Sequence, residues 1–218
     1  MAGVRVTPVS RESLIDSIAT EAVDRAGGDR LRVAIDGAIG LEPGLWARDL
    51  VEELRDRGGF ALHVSVRDFL LPASQRFEFG RESPEAFYEG WRDEGGLRRE
   101  VLDPAAPVGG ADGGRQPGRV LPALWRTDID RSARADYVTV PPGGIVVVSG
   151  EFLLGSALPF DYTVHLTCSP AALARRTPAE EQWTLPAYAR YAAEVAPETF
   201  ADVVVRLEDP RRPAVVEA

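Results

Sequence analysis

"AIDGAIGLEPGLWARDL", residues Ala34–Leu50, decides how the chain is read. Leu31–Asp36 is a short apolar run with strand character, and Pro43 suits the first turn of a helix that stops at Gly58-Gly59. Strand, glycine-bearing turn and helix in this order cradle phosphate when the turn reads G-x-x-x-x-G-K-[ST]. Here Glu42 stands at the last glycine, Pro43 at the lysine and Gly44 at the hydroxyl residue. The frame is present and its phosphate chemistry is missing.

Outward from this turn, apolar runs alternate with helical patterns. Residues 12–26 place Leu14, Ile15, Ile18, Ala19, Ala22 and Val23 on one helical face. Strands are expected at 60–66, 143–150, 161–168 and 201–209, and helices from Pro170 and over Pro186–Val195. The run "GGIVVVSG" is apolar throughout, as in a strand covered on both faces. One or two short helices fall between residues 83 and 104. Residues 103–118 read as a Pro/Gly-rich loop, and 119–128 and 135–140 as strands of a small antiparallel excursion. The alternation predicts an α/β domain over 1–218, opened by an N-terminal helix within 1–28 and interrupted by the excursion at 103–140. Its ligand crevice is expected at the carboxyl ends of the strands.

Composition narrows the function classes. The net charge of −9 argues against a nucleic-acid partner, which needs a basic face. No apolar run is long enough to span a membrane, and no signal peptide is evident. One cysteine, Cys168, excludes an internal disulfide and suits a reducing cytoplasm. Two distant histidines and one cysteine give no metal-ligand spacing, so neither metal nor cofactor is expected. All 25 basic residues are arginine, so no lysine is available to clamp a phosphate or form a Schiff base.

Five segments in order resemble the uridine-kinase-like branch of the P-loop nucleoside kinases: "VAIDG", "VSVRDF", "GRESPEAFY…LRREVLDP", "IVVVSGEFLL" and "ARYAAEVAPETFADVVVRLEDP". The resemblance covers about Val33–Pro210. It implies a three-layer fold with a mainly parallel five-stranded sheet and a short lid, in which Arg175-Arg176 resemble lid arginines. It also implies that Arg67 replaces the aspartate that accepts the substrate hydroxyl proton, and that Ser149 replaces an acidic residue near the metal. Arginine stays protonated and cannot serve as that base. Loss of ATP binding and phosphoryl transfer is therefore expected.

If the strand ends converge, Asp36, Glu42, Arg67 and Asp68 are the candidate catalytic groups, and Tyr88, Asp93, Arg126 and Glu151 the candidate substrate contacts. In that arrangement a carboxylate, Asp68 or Glu42, moves a proton while Arg67 stabilises negative charge. The expected function is an ATP- and metal-independent lyase, cyclase or isomerase acting on a small biosynthetic intermediate. An inactive pseudokinase that binds a nucleoside-like ligand or a partner is the alternative, an arginine-based kinase a third reading, and self-association into a homodimer is left open. Plainer roles stand beside these. Asp36 caps a turn, Arg67 pairs with Asp68, Glu42 merely starts a helix, and His63, His165 and Cys168 pack as core or surface residues.

Overall fold

The computed structural model describes residues 5–108 and 118–217. Strand β1 (Arg5–Pro8) precedes helix α1 (Arg11–Ala26), and β2 (Leu31–Asp36), α2 (Pro43–Asp56) and β3 (Ala61–Ser65) follow. Helices α3 (Ala73–Arg76), α4 (Pro84–Gly90) and α5 (Glu94–Leu97) run into a π-helical turn at Arg98–Leu102. Four short strands come next: β4 (Gly118–Val120), β5 (Trp125–Arg126), β6 (Arg131–Ser132) and β7 (Val138–Val140). The chain closes with β8 (Ile145–Gly150), β9 (Tyr162–Thr167), α6 (Pro170–Arg176), α7 (Leu185–Glu194), β10 (Val203–Arg206) and β11 (Ala214–Glu217).

The central sheet has the order β1-β11-β10-β9-β2-β8-β3. Its five strands from β10 to β3 are parallel. The expected sheet had only these five. In the structure β11 and then β1 extend it antiparallel beyond β10. The two additions are four residues each, and β1 is exposed along its length, so neither carries an alternating or buried-strand signature. β8 lies between β2 and β3, and all six of its residues are buried. That is why it reads as one unbroken apolar run.

Alternate residues of the strands feed two cores. Leu31, Val33, Ile35, Ile145 and Val147 face α1 and α2. Ala34, Val64, Val146 and Val148 face α4, α5 and α7. The result is a three-layer α/β/α stack. Helix α1 starts where Ser10 Oγ accepts the Ser13 N–H and ends at left-handed Gly27. Val23 is not part of its buried face as expected but 47% exposed. At 100° per residue it lies about 40° beyond the arc from Leu14 to Ala19.

The excursion forms two antiparallel pairs, β4 with β7 and β5 with β6. Residues 109–117 of the expected Pro/Gly-rich loop lie outside the described residues. Among the described residues, no helix is long and apolar enough to cross a membrane.

Candidate functional site

The turn after β2 is closed on itself. Gly37 donates its N–H to Gly150 O at 3.0 Å, Leu41 to Ala38 O at 2.9 Å and Glu42 to Ile39 O at 2.9 Å, while Ile39 donates to the Tyr188 hydroxyl at 3.3 Å. Residues Ile39–Leu41 thus wind into a 3-10 turn, and Pro43 at the head of α2 has no N–H to offer. A phosphate nest needs several free amides converging on one point. Four donors are thus spent within the protein, while the amides of Ala38, Gly40 and Gly44 have no backbone acceptor among the described residues. Glu42 also keeps a left-handed backbone (φ 56°) that glycine adopts without cost, and its side chain makes no capping bond to α2.

Above this turn is a cavity of about 580 Å³, bounded by residues 39–46 together with Arg11, Arg48, Arg67, Glu151 and Arg176. Each guanidinium is already engaged. Arg11 bonds Asp49 at 2.7 Å and lies over the Trp46 ring. Arg48 Nε reaches Gly44 O at 3.3 Å, and Arg176 reaches Glu208 O at 2.8 Å.

Arg67 stands in the turn after β3, where Ser65 Oγ accepts its backbone N–H at 3.2 Å. Its Nε and Nη2 both meet Glu151 Oε1, at 3.0 and 2.6 Å, and Nη1 lies 3.7 Å from Glu181. Glu151 is 5% exposed, held in place just past β8. Gly150 allows this junction. Its φ of 148° is open to glycine, and a Cβ there would run into Val66 Cγ1. Burial works against the charge on Arg67, but the attraction and hydrogen bonds of Glu151 outweigh it and push its pKa up. Burial, and then the charge of Glu151, raise the Tyr188 phenol and keep it protonated.

A second cavity of about 250 Å³ opens on the other side of the Arg67–Glu151 pair. Its walls are Phe77, Phe87, Trp91, Phe152 and Trp183, with Arg67, Glu151 and Glu181 among its polar groups. The Phe87 ring meets Trp91 and Phe152 edge-on at 5.3 Å and Trp183 at 5.5 Å. Trp91 Nε1 and Arg92 Nε are buried without a hydrogen-bond acceptor among the described residues, and both residues line this cavity. Such orphaned donors are uncommon in proteins.

The eight residues expected in one crevice are divided. Glu42, Arg67 and Glu151 line the cavity over the turn, and the last two also line the aromatic one. The other five lie elsewhere. Asp36 is fully buried, and its carboxylate accepts from Leu153 N at 2.8 Å and from Tyr191 Oη at 3.1 Å and meets His165 Nδ1 at 2.7 Å. Asp68 follows Arg67 in a 3-10 turn, where successive side chains diverge by about 120°. It lines neither of these cavities, and burial pushes its carboxyl up. It does not pair with Arg67, which takes Glu151 instead.

Tyr88 packs its ring on Phe152 at 5.2 Å, under the guanidinium of Arg190. Asp93 caps α5 by accepting the Gly96 N–H at 2.7 Å. Arg126 is carried out on the β5–β6 pair and bonds Asp128 at the surface at 2.7 Å.

Other residues were given no role in a site by the sequence. Tyr188 and Tyr191 are three apart on α7 and face the core together, a spacing visible in "YARYAAE". Trp183 had no such signal. His63 Nε2 lies 2.8 Å from Ser149 Oγ, and burial lowers its pKa. His165 partners Asp36 because β2 and β9 place the two residues in register.

The fold is that of the P-loop kinases. The chain is similar to the structure of a possible uridine kinase from Bacillus stearothermophilus, at 19% identity over 88% of this chain and 97% of that one, with a TM-score of 0.68. It is also similar to a putative fructose transport system kinase from a Silicibacter species, at 21% identity over 88% of this chain and 95% of that one, with a TM-score of 0.59. No family model and no curated protein matches the chain.

Proposed function

We propose that this chain keeps a kinase-like fold without ATP-dependent phosphoryl transfer, and binds a small ring-bearing molecule in the aromatic cavity. The observation that carries this reading is the Arg67–Glu151 pair. It sits between the two cavities, at the point where the resemblance puts the base that would activate a phosphoryl acceptor. A guanidinium bonded to a buried carboxylate takes no proton from a hydroxyl. The spent amides of the turn support the same reading from the nucleotide side.

The aromatic walls suit the face of a base or sugar, and the buried donors of Trp91 and Arg92 suit its oxygens. The structural neighbours named for uridine and fructose make those two compounds the natural probes. One cysteine suits a reducing, cytoplasmic setting.

An acid/base reaction in the same cavity is the second reading, favoured by Glu181. This carboxylate lines the cavity 3.7 Å from Arg67 Nη1, so it is placed to move a proton while Arg67 meets developing negative charge. Under this reading Glu181→Gln keeps binding and lowers turnover by about 10²-fold or more.

Titration of uridine or fructose without nucleotide, followed by the emission of Trp91 and Trp183, is expected to give a saturable change with one of them. Trp183→Ala is expected to weaken that binding about tenfold or more, as for a wall residue. Saturation only in the presence of ATP and Mg²⁺, or none with either compound, contradicts the proposal.

A further inference from the structure

A third cavity, of about 410 Å³, lies between the end of β9 and helices α6 and α7; it shares Phe152 with the aromatic cavity, but neither Arg67 nor Glu151 lines it. Its wall is mainly apolar, with Leu41, Leu166, Leu173 and Leu185 among its residues, and among the described residues no arginine, aspartate or glutamate lines it. Its polar groups are His165, which is 7% exposed, and the hydroxyls of Thr167, Tyr188 and Tyr191, which are bonded to Glu198, Ile39 N and Asp36.

The orientation of the imidazole is fixed from behind. Asp36 Oδ2 lies 2.7 Å from Nδ1 and also accepts the Tyr191 hydroxyl at 3.1 Å, while Oδ1 accepts the Leu153 N–H at 2.8 Å. Burial, and then the charge of Asp36, raise the Tyr191 phenol and hold it in its donating form. A carboxylate that already receives two donors leaves Nδ1 to be the third, so the tautomer carries its proton on Nδ1. In the neutral ring Nε2 is then an acceptor. It has no hydrogen-bond partner among the described residues and is not enclosed by protein. The same second-shell arrangement orients histidines that receive protons or hold ligands.

Neighbouring groups add nothing comparable. Burial pushes the Cys168 thiol up, so that it forms wall and not thiolate. Tyr188, also in the lining, accepts the Ile39 N–H through its hydroxyl.

We propose that this cavity is a binding site for a neutral, mainly apolar small molecule that donates one hydrogen bond, from a hydroxyl or N–H group, to His165 Nε2. Charge is disfavoured because nothing in the lining would answer it. The volume falls at the lower end of the ~300–1,000 Å³ usual for small-molecule pockets. The rim residues Pro170, Pro186 and Ala189 are exposed, which gives the ligand a way in.

A matched pair of probes tests the site. Calorimetric titration of the wild-type protein is expected to show 2-naphthol binding about tenfold more tightly than 2-methoxynaphthalene, which has the same rings without the donor. His165→Phe is expected to remove that preference. Because this change alters a buried network and can impair folding, Ala189→Trp gives a second arm. It fills the rim from an exposed helix position and is expected to abolish binding of both probes while the unfolding midpoint stays within ~2 °C of wild type. Equal affinity for the two probes, binding of neither, a preference that survives His165→Phe, or binding undisturbed by Ala189→Trp would each overturn the proposal.

Discussion

Asp36→Ala is expected to lower the unfolding free energy by about 3–5 kcal/mol, the largest effect of any single substitution considered. The carboxylate is fully buried and ties four parts of the molecule together: β2, β9 through His165, α7 through Tyr191, and the segment after β8 through Leu153. Alanine leaves a backbone N–H and an imidazole N–H without acceptors where water does not enter, at about 1–3 kcal/mol each, and leaves the phenol only its longer bond to Leu154 O at 3.3 Å. For a chain of this length, a loss of 4 kcal/mol corresponds to a fall in melting temperature of about 8–16 °C. Asp36→Asn keeps one carbonyl oxygen and sets its amide against the donors, so an intermediate loss of about 1–3 kcal/mol is expected. Urea unfolding followed by circular dichroism measures both. A loss below ~1 kcal/mol for alanine would mean that the network does not hold these elements together.

The second large effect is at Arg67. Replacing it with alanine leaves Glu151 buried without its counter-charge, which for a closed pair costs about 3–5 kcal/mol. The Arg67 side chain is 38% exposed, so water can reach the vacated side and the expected loss is nearer 2–3 kcal/mol. The double change Arg67→Met with Glu151→Leu is expected to recover most of it, because two apolar side chains need no partner. Together the three proteins form a test by unfolding midpoint. Should Arg67→Ala unfold like wild type, or the double variant fall further than the single one, the pair is not the buried junction described.

Much of the fold was legible because its central strands are mainly apolar runs. Ile145–Val148 and Val33–Ile35 are covered on both faces, as the strands of a buried parallel sheet are. The two added strands were not legible, since Arg5–Pro8 gains its pairing from Ala214–Glu217 at the far end of the chain, and that segment in turn lies between it and β10. In the site, Glu42, Arg67 and Glu151 could be placed because each directly follows a strand or turn whose end faces the crevice.

Asp68 could not be placed the same way. Adjacent residues of a tight turn face different directions, and sequence order alone does not say which of the two turns inward. His165 was hidden for another reason: its partnership with Asp36 depends on the register of two strands separated by 129 positions in the chain. The orphaned donors of Trp91 and Arg92 exist only once packing is known.

Isothermal titration of ATP with Mg²⁺ into the wild-type protein decides whether the proposed loss of nucleotide binding is real. With the turn amides of Gly37, Ile39, Leu41 and Glu42 already bonded, Pro43 without a donor and no lysine in the chain, binding weaker than ~1 mM is expected. Mg²⁺-dependent binding at ~10 μM or tighter would contradict the account.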